Sequence, residues 1–300
     1  MLNKTQLKQI ALYGVGVLGS KAVYFILVPL YSFYLSPEQL GFYDLILATI
    51  TILIPISTLQ ISDACYRFLL DAKDNEKKDI ICNAFILILL SQTLITIIFI
   101  AMSIGYDLKE YVYFLVFQAS FSFYIFFQQI IRGLKKTKSY AVMGAMNLFL
   151  APILSLIFLE TFQNKIDAVV VALILSQVTA LGLSLIPNAK HIFSRDTRFN
   201  LYELKQLIKY SLPLVPNSLS WWLIDLGSRF LILYFLGQEL NGIYAVAARY
   251  AGLVAIFNSV LILKWQDFAI LNKDPKPHFF FSKVLTTFFF IELILILYLI

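Results

Sequence analysis

Ionisable side chains stand inside or at the edges of long apolar stretches of this chain, among them Lys21, Asp63, Arg67, Asp225, Arg229, Arg249 and Glu292. Near the middle of a membrane-crossing helix a charge costs about 2.5–3.5 kcal/mol, so such residues belong in a watery cavity or against a partner. Asp225 and Arg229 are spaced i, i+4, which puts both on one helix face and within pairing distance. Asp63 and Arg67 repeat that spacing nearer a helix end, where snorkelling to the interface is the simpler expectation. Lys21 lies about 16 Å into its stretch at 1.5 Å per residue, close to mid-membrane. Arg249 follows an outer turn and reaches a depth similar to that of Arg229. Three cations, Lys21, Arg229 and Arg249, set against Asp225 make a net positive cavity, and Lys and Arg are the natural ligands of phosphate. Such a cavity favours an anionic cargo and disfavours an organic cation, which needs carboxylates. Trp221 and Trp222 are candidates to stack on sugar faces, while most aromatics of the chain face lipid or the interface.

Other motifs lead elsewhere. Gly14, Gly16 and Gly19 fit GxGxxG with Glu38 downstream, but no strand precedes them, so they read as close helix packing and not as a dinucleotide loop. Pro213 and Pro216 match PxxP inside an apolar stretch and read as a kink. His191 and His278 fall in polar connectors. Two cysteines, Cys65 and Cys82, are too few for a disulfide framework and have no zinc-site spacing, so no metal is expected.

The elements that position these charges follow from composition. The 300 residues are 60% apolar and 14% charged, where a soluble domain has roughly 45–50% and about 25%. Apolar runs long enough to cross about 30 Å of hydrocarbon lie near 10–34, 44–66, 80–102, 112–131, 141–159, 168–187, 211–235, 244–263 and 284–300. The expected fold is all-α, a polytopic membrane helical bundle. Connectors 3–8, 71–79, 132–138, 188–210 and 264–283 hold 18 Lys or Arg, while 35–43, 103–111, 160–167 and 236–243 hold Lys109 and Lys165 alone. Positive charge stays on the cytoplasmic side, which predicts a multi-pass protein of the cell's inner (plasma) membrane with a cytoplasmic N-terminus. The net charge of +6 is thereby assigned to topology, not to nucleic-acid binding. The first run, long and without a small-residue cleavage site after it, reads as a retained helix and not a signal peptide.

A repeat fixes the organisation. Residues 3–14 align without gaps on 200–211, matching Asn3/Asn200, Leu7/Leu204, Lys8/Lys205, Gln9/Gln206 and Tyr13/Tyr210. Residues 35–43 align on 236–244, matching Leu35/Leu236, Glu38/Glu239, Gly41/Gly242 and Tyr43/Tyr244. An even number of spans separates equivalent points, so the repeats share one orientation and are related about an axis along the membrane normal, with a substrate site between them. The expected lobes are 1–197, with six helices, and 198–300, with three, so that the chain stops partway through a second lobe, as a fragment or a shortened six-plus-six plan would. Each lobe opens with an amphipathic stretch, capped by Asn3 or Asn200, that suits the membrane interface.

Residues 212–253 resemble the lipid-linked oligosaccharide (O-antigen type) flippases of the multidrug/oligosaccharidyl-lipid/polysaccharide exporter superfamily. The resemblance rests on Pro213-x-x-Pro216, Arg229 after a polar residue, Leu236-Gly237 and Gly242-x-Tyr244. Val28-Pro29-Leu30-Tyr31, Tyr34 to Glu38, Gly41-Phe42-Tyr43-Asp44 and Leu59-Gln60 with Arg67 extend it through the first two spans. Departures are Ser228 where members often carry Asp, Asp267 where Trp-Gln-Pro-Phe is common, and fewer spans than usual. The resemblance implies a non-enzymatic carrier that moves an undecaprenyl-diphosphate-linked glycan across the membrane by alternating access for O-antigen or capsule synthesis. It implies no cofactor beyond a coupling ion, Na+ or H+, and functional partnership with glycan-assembly enzymes. Lys21, Arg229 and Arg249 would hold the diphosphate, and Asp225 would bind the ion or pair with Arg229. The alternative within the superfamily is a cation-coupled drug antiporter.

Overall fold

The computed structural model describes residues 23–102, 108–192, 197, 199–271, 286 and 289–290. Every regular element among them is helical: α1 Val23–Tyr34, α2 Pro37–Thr58, α3 Ile61–Asp71, α4 Asp74–Met102, α5 Leu108–Gly133, α6 Thr137–Thr161, α7 Lys165–Leu185, the short α8 Ala189–Ile192, α9 Leu201–Ser211 and α10 Leu214–Leu271. Among the described residues six helical segments are long and apolar enough to span a membrane. The last of these runs through α9 and α10, and α10 is two limbs, 214–236 and 238–271, meeting at Gly237. The second to eighth apolar runs thus each fall on helix. The first run is described from Val23 onward, and the ninth lies outside the described residues.

The packing is that of a protein solvated by lipid. Leu90, Leu94, Ile97, Phe149, Ile153 and Leu183 point outward and exposed, a distribution that water would penalise and hydrocarbon does not. The interior of α1 to α7 is laced with neutral polar contacts instead. Gln118 Nε2 donates to Ser57 Oγ (2.7 Å) and Ser122 Oγ (3.0 Å), Ser120 Oγ donates to Gln177 Oε1 (2.9 Å), Ser176 Oγ donates to Asn147 Oδ1 (3.0 Å), and Tyr31 and Ser155 share a hydroxyl contact of 2.9 Å. Small side chains let helices approach, and hydrogen bonds between them replace the hydrophobic drive that lipid removes.

Helix boundaries differ from the apolar runs for local reasons. α2 starts at Pro37, not near 44, because Ser36 caps it reciprocally with Gln39: Gln39 N donates to Ser36 Oγ (3.2 Å) and Ser36 N donates to Gln39 Oε1 (3.0 Å). The second run is also not one helix. Leu59 and Gln60 are both left-handed (φ 49° and 54°), a conformation side chains disfavour, and they break it into α2 and α3. The connector expected at 236–243 contracts to Gly237, whose φ of 87° suits glycine. Pro213 does not kink a spanning helix: it stands in the turn between α9 and α10, and Pro216 occupies the first turn of α10, where a missing N–H costs nothing.

Candidate functional site

The two segments aligned above, 35–43 and 236–244, meet at the Lys/Arg-poor end. Gly41 of α2 and Gly242 of the second α10 limb approach so closely that neither tolerates a Cβ. One built on Gly41 would strike the Gln238 carbonyl and lie 3.2 Å from Gly242 N; one built on Gly242 would strike the Pro37 carbonyl and lie 3.0 Å from Gly41 N. The contact is reciprocal in the register of the repeat, since 37 aligns with 238 and 41 with 242. Two copies of one unit related by a rotation meet in this way, each presenting the same patch to the other. Asn241 adds a weak bond from Nδ2 to Gly41 O (3.4 Å).

One helical step inward lies a charge pair. Asp44 follows Ser36 by eight residues and Arg229 precedes Gly237 by eight, so both sit about 12 Å below their turns. Arg229 Nη1 donates to Asp44 Oδ1, and the two side chains are 13% and 1% exposed. Deeper along the same seam Trp222 Nε1 donates to Ala48 O (3.0 Å), and Gln60 Nε2 donates to Ser218 Oγ (2.5 Å). The left-handed Leu59-Gln60 step therefore has a use: it ends α2 where Gln60 can reach α10.

The expected site residues separate into three groups. Arg229 is in the joint, where it binds Asp44 on another helix; the expected pairing with Asp225 falls on a side chain outside the described residues. The side chains of Asp225 and Arg249 lie outside the described residues, as does Lys21 altogether. Asp63 and Arg67 do not pair. Arg67 Nη1 binds Asp71 Oδ2 at 2.7 Å, one turn further on, while Asp63 Oδ1 accepts from Gln129 Nε2 (2.9 Å) on α5. The two face different neighbours: Asp63 turns to α5 and Arg67 to the next turn of its own helix, both half-buried. Trp222 is engaged with α2 and Phe230 (ring centroids 5.5 Å apart), not available for a sugar, whereas Trp221 is exposed.

Two charges were missed. In sequence Asp44 belongs to a Gly-Phe-Tyr-Asp pattern, and its partner is a cation 185 positions away; its place at the start of an apolar run is the available signal. Its presence lowers the net positive charge expected of the cavity. Arg132, counted as a connector cation, is buried at 1% exposure. Its guanidinium lies 4.1 Å from the Tyr66 ring centroid, and Nη1 and Nη2 donate to Gln266 Oε1 at 3.4 and 3.3 Å. Gln266 belongs to the Trp-Gln-Asp-Phe stretch, so that pattern supplies a contact between the repeats at the Lys/Arg-rich end. Among the described residues no cluster of His, Cys, Asp and Glu could hold a metal ion. A separate hollow of about 190 Å³ at the Lys/Arg-poor end is lined by Phe42, Tyr113, Phe114, Phe117, Asn164 and Asp167, between α2, α5 and α7.

A substrate site between parallel repeats is one plan of secondary transporters. The solved structures agree on fold. The MATE multidrug transporter DinF-BH superposes with a TM-score of 0.74 over 94% of this chain and 68% of that one at 16% identity. A second MATE structure gives 0.54 over 94% and 75% at 16% identity. A search of curated protein sequences finds no match. The profile of the polysaccharide biosynthesis protein family matches residues 6–263, and the chain belongs to that family. It is a multi-pass membrane protein with the fold of the MATE transporters.

Proposed function

We propose that the protein is a flippase for an undecaprenyl-diphosphate-linked oligosaccharide destined for cell-surface polysaccharide, working by alternating access between lobes 1–197 and 198–300. The observation that carries this reading is the buried Asp44–Arg229 pair, a guanidinium held at membrane depth between the repeats. Arg presents a planar fork of donors suited to phosphate oxygens and keeps its charge at any cellular pH. Lys21 and Arg249 complete the anion site, and the lipid tails remain in the bilayer while the glycan crosses. The Lys/Arg-rich end faces the cytoplasm of a plasma-membrane protein. A coupling ion, Na+ or H+, binds at Asp225. The glycan-assembly enzymes supply the cargo on the cytoplasmic side.

The test is genetic. Deleting the gene from its own strain abolishes surface polysaccharide and accumulates the lipid-linked glycan inside the cell; the wild-type gene restores it, and Arg229→Ala, Lys21→Ala and Arg249→Ala do not. Normal surface glycan in the deletion strain, or in all three variants, defeats the reading. A drug antiporter, the other superfamily activity, would instead show unchanged glycan and lowered resistance to organic cations.

A further inference from the structure

The Asp44–Arg229 pair does two things at once. It neutralises the cation proposed above to hold the cargo, and it ties α2 to α10 beside the glycine contact. Two other ion pairs, Arg67–Asp71 and Lys77–Asp74, lie within single helices. We infer that Asp44 stands in for the anionic group of the cargo, so that a diphosphate must displace Asp44 from Arg229 and, in doing so, frees the two repeats to part at the Lys/Arg-poor end. The inference rests on the flippase reading of the same site.

Three features support exchange in place of simple breakage. Removing one member of a buried ion pair strands a charge, so an empty protein does not open at this end. Replacing one anion by another keeps Arg229 compensated throughout. The guanidinium also has capacity for a larger anion: its Nε is buried without a hydrogen-bond partner, while Nη1 serves Asp44. A carboxylate carries one charge, and a diphosphate diester brings two ionised phosphates and several acceptor oxygens, which suit the fork of donors better. Bulk phospholipids, with one phosphate diester each, compete less well. The opening is thereby tied to the cargo through differential affinity for the two conformations, which is what a ligand needs in order to shift an equilibrium.

The experiment uses the full chain in lipid nanodiscs, with Cys65→Ala and Cys82→Ala and nitroxide labels on Glu38→Cys and Glu239→Cys, which are exposed and equivalent in the repeat. The probe is farnesyl diphosphate, with farnesol as control. In the otherwise unaltered protein the diphosphate adds a longer label-to-label distance and farnesol does not. Asp44→Asn shows the longer distance without any probe and binds farnesyl diphosphate roughly three- to tenfold more tightly, because the competing carboxylate is gone. Diphosphate binding that Asp44→Asn leaves unchanged, or that produces no longer distance in the protein with Asp44 intact, overturns the competition while sparing the cargo assignment. No diphosphate binding to either protein overturns both.

Discussion

The two ends of the molecule are joined by different physics. At the Lys/Arg-poor end, backbones touch at Gly41 and Gly242 and a buried ion pair lies just inside them. At the Lys/Arg-rich end, the described contacts are made by side chains: Arg132 to an exposed Gln266 at 3.3–3.4 Å, Asn83 to Glu203 (3.0 Å) and to the Asn200 N–H (3.1 Å) on the amphipathic α9, and the apolar packing of Leu207 and Tyr210 of α9 against α3 to α5. Contacts at 3.3–3.4 Å are at the weak limit of hydrogen bonding. Under the alternating-access reading proposed above, one end must be held more firmly than the other, and the backbone contact marks the Lys/Arg-poor end as the firmer joint.

The comparison breaks most readily at the ion pair. Asp44→Ala leaves Arg229 buried without its carboxylate, and the expected loss is about 3–5 kcal/mol of stability, read as a lowered thermal midpoint in nanodiscs. The charge swap Asp44→Arg with Arg229→Asp restores the midpoint but not surface glycan, because the anion site has moved to the wrong helix. If Asp44→Ala costs less than about 1 kcal/mol, within the range of an exposed pair, the joint is not the firm one.

Next in size is the glycine contact. Gly242→Leu or Gly41→Leu forces side-chain atoms into opposing backbone, and overpacking of this kind costs about 1–3 kcal/mol. Labels at Glu38 and Glu239 should move apart in either variant even without cargo. Equal distances in variant and parent would show that the backbones do not meet there.

What could be read from sequence depended on distance along the chain. Periodicity and length place the spans because they are local: each apolar run after the first and before the ninth falls on helix. Helix starts were legible in principle, since Ser36-Pro37-Glu38-Gln39 spells a capping box, yet an apolar-run count overrides it and begins the helix too late. Asn200 as a cap was legible and is found, its Oδ1 accepting from Tyr202 N at 2.9 Å. Charge pairing was not. The i, i+4 rule offers Arg67 two carboxylates, Asp63 before it and Asp71 after it; Asp63 is taken by Gln129 of α5 and Arg67 binds Asp71. Asp44–Arg229 and Arg132–Gln266 span 185 and 134 positions, so they exist through tertiary packing alone. The repeat was the one long-range signal in the sequence, and it points to the Gly41/Gly242 contact without saying that the two glycines touch.

At the Lys/Arg-rich end, α9 offers a smaller test. Asn200 caps the helix with its side chain while its backbone N–H goes to Asn83 Oδ1, and Leu207 is buried in the cluster formed by α3, α4 and α5. Removing the cap with Asn200→Ala costs about 1 kcal/mol. The measurement is hydrogen exchange over residues 201–211, which should speed up there while the Gly41/Gly242 region stays protected. Faster exchange at both ends together would mean that they are not independently held.

The smallest effect is expected at Gln266. Its loss in Gln266→Ala takes away one neutral acceptor from Arg132, whose guanidinium keeps its place over the Tyr66 ring, and Gln266 is itself exposed so that water replaces it. A hydrogen bond to a charged group is worth about 1.5–3 kcal/mol when well formed, but at this length and exposure the cost should be below about 1 kcal/mol. The thermal midpoint should therefore barely change. The informative readout is conformational: with the bridge gone, water-soluble thiol reagents should modify a cysteine introduced at Ser218 faster from the Lys/Arg-rich side, and no faster from the other. A loss of stability as large as that of Asp44→Ala would make the two ends equal, and the asymmetry on which one-sided access depends would then have to come from the cargo and not from the resting protein.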